Sequence, residues 1–408
     1  MNGTITKRPL KNGSHSWGYS FFAGRDETGK RQQVTKSGFS TKREASEALR
    51  RAIVEHHAGA AVVKDSRTFA AFFEEWLSEV AGRRCAPKTL ERYKELGAYA
   101  VRKFGTIELQ KLQPMTIEKA LNEIQDSGGR QTTEHPQGRP LSARTVRHVA
   151  FIVHGCLQTA VRWGLLTMNP MDRVELPKAV KRDVAVLDRD KISQAFKAAE
   201  GMRLYPLVVL GAATGCRRGE LLALTWSDID FESGIMTVDK SLEETKAGLR
   251  VKSTKSGKPR RFSVPSIALV ALREHREQQE RDRALFGPDY AVGDLVFCKP
   301  EGTFYRPDSI SCRVTEILRK AGLTAASLHT LRHSHASELL SKGAPIPTVA
   351  KRLGHANANV TLSIYSHALE ADELAAAKVW EDAMADVIEV NRKPRMNRAR
   401  HLAAGFGD

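Results

Sequence analysis

A tyrosine, Tyr365, stands ten residues after the Gly354-His355 pair. A phenol with an ordinary pKa near 10 attacks a phosphodiester only where neighbouring cations favour the phenolate. Such cations lie upstream in a fixed order. Thr214-Gly215-Cys216-Arg217-Arg218-Gly219-Glu220 comes first, then Thr254-Lys255-Ser256-Gly257, then His329-Thr330-Leu331-Arg332. Phosphodiester transfer develops charge on the equatorial oxygens, so it needs preorganised cations, an in-line nucleophile and a proton donor for the leaving oxygen. This chain offers each part.

Every one of these residues also has a plainer reading. Arg217 follows a helix that ends in Thr-Gly and precedes one that opens with Arg218-Gly219-Glu220; it can aim a guanidinium fork at two oxygens or simply cap Glu220. His329 and Arg332, three apart on a helix predicted to begin near Ser327, share a face, although a buried histidine is the common alternative. His329, His333 and His335 crowd one turn, yet the glutamate of a His-Glu-x-x-His site is absent, as is any acidic or thiol cluster; no metal and no cofactor is expected. Lys255 precedes Ser-Gly at what reads as the tip of a hairpin, with Lys252 and Lys258 as competing lysines and a solvated turn as the alternative. A helical tyrosine is otherwise usually packed core.

The elements that would position these groups fall into several blocks. Residues 1–57 hold short aromatic and β-branched runs (Trp17 to Phe22, Gln32 to Thr35) and then a capped helix, a small sheet-plus-helix module with eleven Lys/Arg against five Asp/Glu. From Thr68, apolar residues at Phe69, Phe72, Phe73, Trp76 and Leu77 recur at helical spacing. Further helices are predicted from Ala86-Pro87, Gln113-Pro114 and Leu141-Ser142, giving a bundle over 68–175 with an exposed loop at 126–140. A basic linker around Leu176-Pro177-Lys178 leads into a third block, 187–390, of helices with strands at 235–238, 250–254 and 260–264. The Arg/Lys-rich tail, 391–408, is expected to be disordered.

The 408 residues allow two or three cores, and 64 Lys+Arg against 47 Asp+Glu, a formal charge of +17, suit a polyanionic partner such as nucleic acid. Five scattered cysteines without a CxxC pair favour a reducing compartment. No run approaches the ~18 apolar residues of a membrane span, so a soluble cytoplasmic protein without membrane contact is expected.

Together, the four segments around Arg217, Lys255, His329–Arg332 and His355–Tyr365 resemble the catalytic domain of the tyrosine recombinases, the integrases of phages and mobile elements. Trp226-Ser227-Asp228-Ile229 continues the likeness. The resemblance implies a multidomain, mainly α fold with small β-sheets: an arm-type DNA-binding module, a helical core-binding (SAM-like) domain and an α+β catalytic domain. It makes Tyr365 the nucleophile, Lys255 the general acid, and Arg217, His329, Arg332 and His355 the phosphate ligands. Glu220 would orient its neighbours. The implied activity is site-specific recombination through a 3′-phosphotyrosyl intermediate, integrating a phage or other mobile element, without ATP or metal. The implied partners are double-stranded DNA attachment sites, a homotetramer on DNA and accessory DNA-bending proteins, at the bacterial nucleoid. A type IB topoisomerase-like relaxing enzyme and a noncatalytic DNA-binding regulator are the alternatives. The segment from Ala371 to Val390 places Leu374, Ala377, Trp380, Met384 and Val387 on one helical stripe that must be covered, either in its own domain or by a neighbouring protomer.

Overall fold

The computed structural model describes residues 3–9, 15–25, 31–57, 65–180, 185–254, 257–365 and 377–385. It divides into two compact units, Met1–Lys181 and Arg182–Asp408.

The first unit has two separate cores. Strands β1 (Gly3–Pro9), β2 (His15–Arg25) and β3 (Arg31–Phe39) form an antiparallel sheet in that order. Helix α1 (Lys42–His57) covers it, closing a small core around Tyr19, Phe21 and Leu49. The helix opens on reciprocal bonds: Ser40 N donates to the Glu44 carboxylate at 3.1 Å, and Glu44 N donates to Thr41 Oγ1 at 3.2 Å. Strand β1 was not expected, because Thr4-Ile5-Thr6 is too short an alternation to stand out beside the charged residues that follow it.

The second core belongs to a helical bundle. Helix α2 (Phe69–Trp76) starts on the Thr68 side chain and runs through a π turn at Leu77–Ala81 into α3 (Gly82–Arg84). Helices α4 (Pro87–Phe104), α5 (Pro114–Ser127) and α6 (Ala143–Arg162) complete it. Pro at the first turn of α4 and α5 costs nothing, since that N–H has no partner within the helix. The expected stripe Phe69, Phe72, Phe73, Trp76 and Leu77 is buried throughout.

The second unit begins with α7 (Arg189–Ala199), α8 (Tyr205–Thr214) and α9 (Arg218–Leu222). Strands β4 (Ile229–Asp230), β5 (Ile235–Val238), β6 (Lys240–Thr245), β7 (Gly248–Ser253) and β8 (Arg260–Ser263) follow, and then helices α10 (Ser266–Phe286), α11 (Pro307–Lys320), α12 (Leu328–Ser341), α13 (Ile346–Leu353) and α14 (Ala358–Tyr365). Helix α8 is apolar on all sides and buried from Pro206 to Ala212, the signature of a central helix.

One expectation fails here. The strands flanking the Lys255 position, β7 and β8, are not hairpin partners: β7 pairs with β6, whereas β8 pairs with β5 in a separate sheet ordered β4-β5-β8. The hairpin formed by β7 turns at residues 245–248, where Thr245 pairs with Gly248. Ser-Gly marks a turn in either case, so local residue types did not separate the two pairings.

Candidate active site

Three of the predicted site residues are delivered by helix ends. Helix α8 stops at Gly215, whose φ of +65° is left-handed. A Cβ there would lie 2.7 Å from Leu353 Cδ2 and 2.9 Å from the His335 ring, so only glycine fits. The chain then turns through Cys216 to Arg217 at the N-terminus of α9. Helix α13 likewise ends on a left-handed Gly354, φ +67°, immediately before His355. Helix α12 is capped by the Ser327 side chain on Thr330 N and buries Leu328 and Leu331, which sets His329 and Arg332 toward these two ends.

Arg217 and Arg332 meet the same short turn. Arg217 Nη2 donates to Gly354 O at 2.9 Å, and Arg332 Nη2 donates to Leu353 O at 2.8 Å. Arg332 Nη1 also donates to Gly215 O. Arg332 is only 3% exposed. The adjacent Arg218 turns elsewhere, to Asp308 at 2.9 Å and Ser311 at 2.6 Å.

Two charged residues near Arg217 complete the arrangement. Glu220, buried, accepts from Arg217 N at 2.7 Å and from Arg217 Nη1 at 2.8 Å. Its carboxylate also takes both terminal nitrogens of Arg260, at 3.0 and 2.6 Å. Arg260 was not singled out in the sequence: it opens the strand expected at 260–264 directly after a basic turn, and nothing local marks it as buried. Arg352, also not anticipated, donates from Nε to His335 Nε2 at 3.0 Å and lies 4.8 Å over the Phe262 ring.

Burial, with Arg332 and Arg217 close by, drives the His329 and His355 imidazoles toward their neutral forms, His355 down to about 4. His333 is held at about 4 by burial and by His329, whose ring it meets edge-on at 4.5 Å. His335 is likewise at about 4, from burial and Arg352. Arg332 itself is pushed down to about 10 by burial and by Arg217. Burial alone would raise Glu220, but the Arg260 and Arg217 contacts outweigh it and hold the carboxyl below its ordinary range. Among the described residues the site therefore gathers three guanidiniums, of Arg217, Arg260 and Arg332, around one buried carboxylate, an excess of positive charge that suits a phosphate.

The remaining predicted residues are placed less fully. The backbone of Tyr365 ends α14, which is fixed to the site by Thr361 Oγ1 at 2.8 Å from His355 Nδ1. Lys255 lies outside the described residues. Of its neighbours, Lys252 is paired with Glu243 and Lys258 is exposed. Among the described residues no three His, Cys, Asp or Glu side chains converge as a metal site, and His335 faces Arg352 and not His329. All five cysteines are free.

The chain thus combines a small β-bearing N-terminal module, a helical bundle and a mostly helical unit with arginines gathered at helix ends. Three family models match: the phage integrase family over residues 185–372, an arm DNA-binding domain over 6–55, and the N-terminal SAM-like domain of phage integrases over 68–125. The chain belongs to the phage integrase family of tyrosine recombinases. It is 26% identical over 396 residues to a tyrosine recombinase XerC-like protein of Caldanaerobacter subterraneus subsp. tengcongensis, spanning 91% of this chain and 97% of that one. It is 28% identical to the ICEBs1 integrase of Bacillus subtilis over 60% of this chain and 68% of that one. Among solved structures, the Tn1549 transposon integrase bound to transposon right-end DNA superposes with a TM-score of 0.65 at 16% identity, covering 78% of this chain and 99% of that one. A lambda integrase dimer on a core site gives 0.53 at 18% identity, covering 88% and 94%. These structural likenesses establish the fold. Among the described residues no helix is long and apolar enough to cross a membrane.

Proposed function

We propose that this recombinase cleaves and rejoins DNA attachment sites with Tyr365 as nucleophile, integrating the mobile element or phage that encodes it. The observation that carries this is the excess of cations at the ends of α8 and α13. Arg217 and Arg332 clamp the non-bridging oxygens of the scissile phosphate, and His329 and His355 bond the same group. Tyr365, its phenol proton given up to solvent, attacks phosphorus through the phenolate oxygen and forms a 3′-phosphotyrosyl bond as the bond to the 5′ oxygen breaks. The 5′ oxygen leaves with a proton from Lys255, and a 5′ hydroxyl from the partner duplex reverses the step, so bond energy is kept and no ATP is consumed. The two guanidiniums and the two imidazole hydrogen-bond donors act at the transition state, where developing negative charge is greatest.

The domains are taken as 1–57 for arm DNA, 68–175 for the core site, 187–390 for catalysis and 391–408 as a basic tail. Support for core-site contact comes from α6, which contains no acidic residue and exposes Arg144, Arg147, His148 and Phe151 on one face. Phosphate contacts there would position the duplex, and the 69%-exposed Phe151 ring would meet base edges or sugars. Two exchanges through a Holliday junction in a homotetramer, with accessory bending proteins, would complete the reaction in the cytoplasm at the nucleoid. Residues 377–385 are helical, with Ala377 and Trp380 exposed and Met384 half-buried. That uncovered stretch suits docking on a neighbouring protomer. Incubation with a nicked suicide duplex tests the reading: a covalent protein–DNA adduct is expected, and relaxation of plasmids lacking attachment sites would instead indicate a topoisomerase.

A further inference from the structure

Glu220 is shared. Its Oε1 accepts from Arg217 Nη1 at 2.8 Å and from Arg260 Nη1 at 3.0 Å, while Oε2 accepts from Arg217 N at 2.7 Å and Arg260 Nη2 at 2.6 Å. A buried carboxylate with Arg217 as its one partner would form a closed, neutral pair where an incoming phosphate must bind. With two guanidiniums on one carboxylate, a full positive charge is left over.

Arg260 also reaches the end of α13. Its Nε donates to Arg352 O at 3.0 Å, beside the bonds from Arg332 to Leu353 O at 2.8 Å and from Arg217 to Gly354 O at 2.9 Å. Three consecutive carbonyls, at the negative end of the helix dipole, are thus each held by a different arginine. A Cβ on Gly354 would lie 2.9 Å from Arg260 Nη1 and 3.4 Å from Arg217 Nη1, so both guanidiniums close over that residue. His355 follows directly, and α14 leads from it to Tyr365. Arg260 is only 6% exposed, with its guanidinium committed to Glu220, Arg352 and, at 3.7 Å, the Cys216 thiol. All three of its guanidinium nitrogens are taken up by protein acceptors.

We infer that Arg260 is a positioning residue: it draws Glu220 away from neutralising Arg217 and ties the turn before His355 to the same carboxylate. This rests on the phosphate-clamping reading of Arg217. It also links β8, five residues beyond Lys255, to the opposite side of the site.

A double-mutant cycle tests it, with single-turnover cleavage of a suicide duplex at saturating DNA, duplex affinity and melting temperature as readouts. Arg260→Met is expected to slow cleavage by about 100-fold while affinity stays within about threefold. Arg260→Lys, which keeps the charge without the fork, should recover at least about tenfold of that loss. The double variant Arg260→Met/Glu220→Gln should cleave about tenfold faster than Arg260→Met, because a neutral amide no longer pairs off Arg217. It also removes the buried carboxylate that Arg260 partners, so it remains informative if Arg260→Met folds poorly. Losses that simply multiply in the double variant, or an Arg260→Lys chain no faster than Arg260→Met, would overturn the inference alone. A wild-type chain that forms no adduct would overturn the recombinase chemistry and the inference with it.

Discussion

Replacing Arg332 by Met separates stability from function in a way that follows from the geometry. Arg332 is 3% exposed and its guanidinium is pushed down to about 10 by burial and by Arg217. At ~1.4 kcal/mol per pH unit, holding that charge costs the unliganded fold ~3 kcal/mol. Met of similar length removes this cost but leaves Gly215 O and Leu353 O without their donor, at about 1–3 kcal/mol each. These contributions largely offset one another, so denaturant unfolding in an anion-free buffer should change by no more than ~3 kcal/mol. Losing one partner of an ordinary buried ion pair would cost about 3–5 kcal/mol. Cleavage should nevertheless fall about 10²–10³-fold, because the charge acts on the transition state. Inorganic phosphate should stabilise wild type more than the variant. A variant destabilised by more than ~4 kcal/mol that still cleaves within about tenfold of wild type would refute the reasoning.

Stability should also depend on pH. His333, His335 and His355 stay neutral in the fold down to about 4, while the unfolded chain takes up protons from about 6.5, so unfolding binds protons in that window. The melting temperature should therefore fall as pH drops from 6.5 toward 4, and bound DNA should lessen the fall; a flat profile would contradict the burial of these imidazoles in neutral form. Deleting residues 1–60 should spare cleavage of a core-site duplex but impair integration and remove a salt-sensitive share of DNA binding, whereas normal integration would rule out an arm-binding role. Truncation after Ala368 should leave a folded, DNA-binding chain that fails to assemble a synaptic tetramer, and loss of the cooperative melting transition would show instead that the segment belongs to its own core.

Much of this was legible in sequence because the informative residues sit where the backbone is constrained. Gly215 and Gly354 end helices, and the residues after them, Arg217 and His355, could be read as site groups. The buried stripe from Phe69 to Leu77 followed from helical spacing. Arg260 and Arg352 were not legible: basic residues are usually exposed, and their burial depends on Glu220 and on carbonyls some 40 to 139 residues away in the chain. The strand pairing around Lys255 failed for a similar reason. Turn residues locate a reversal, but partner choice among short strands is set by long-range packing.

The central claim is that a single tyrosine carries the DNA. Wild type should be incubated with a nicked suicide duplex, digested, and the modified peptide located by mass spectrometry, alongside Tyr365→Phe, which removes only the hydroxyl. The account predicts a 3′-phosphotyrosyl adduct on the peptide containing Tyr365, and a Phe variant that binds the duplex as tightly but forms none. An adduct on another residue, or recombination by the Phe variant, would contradict it.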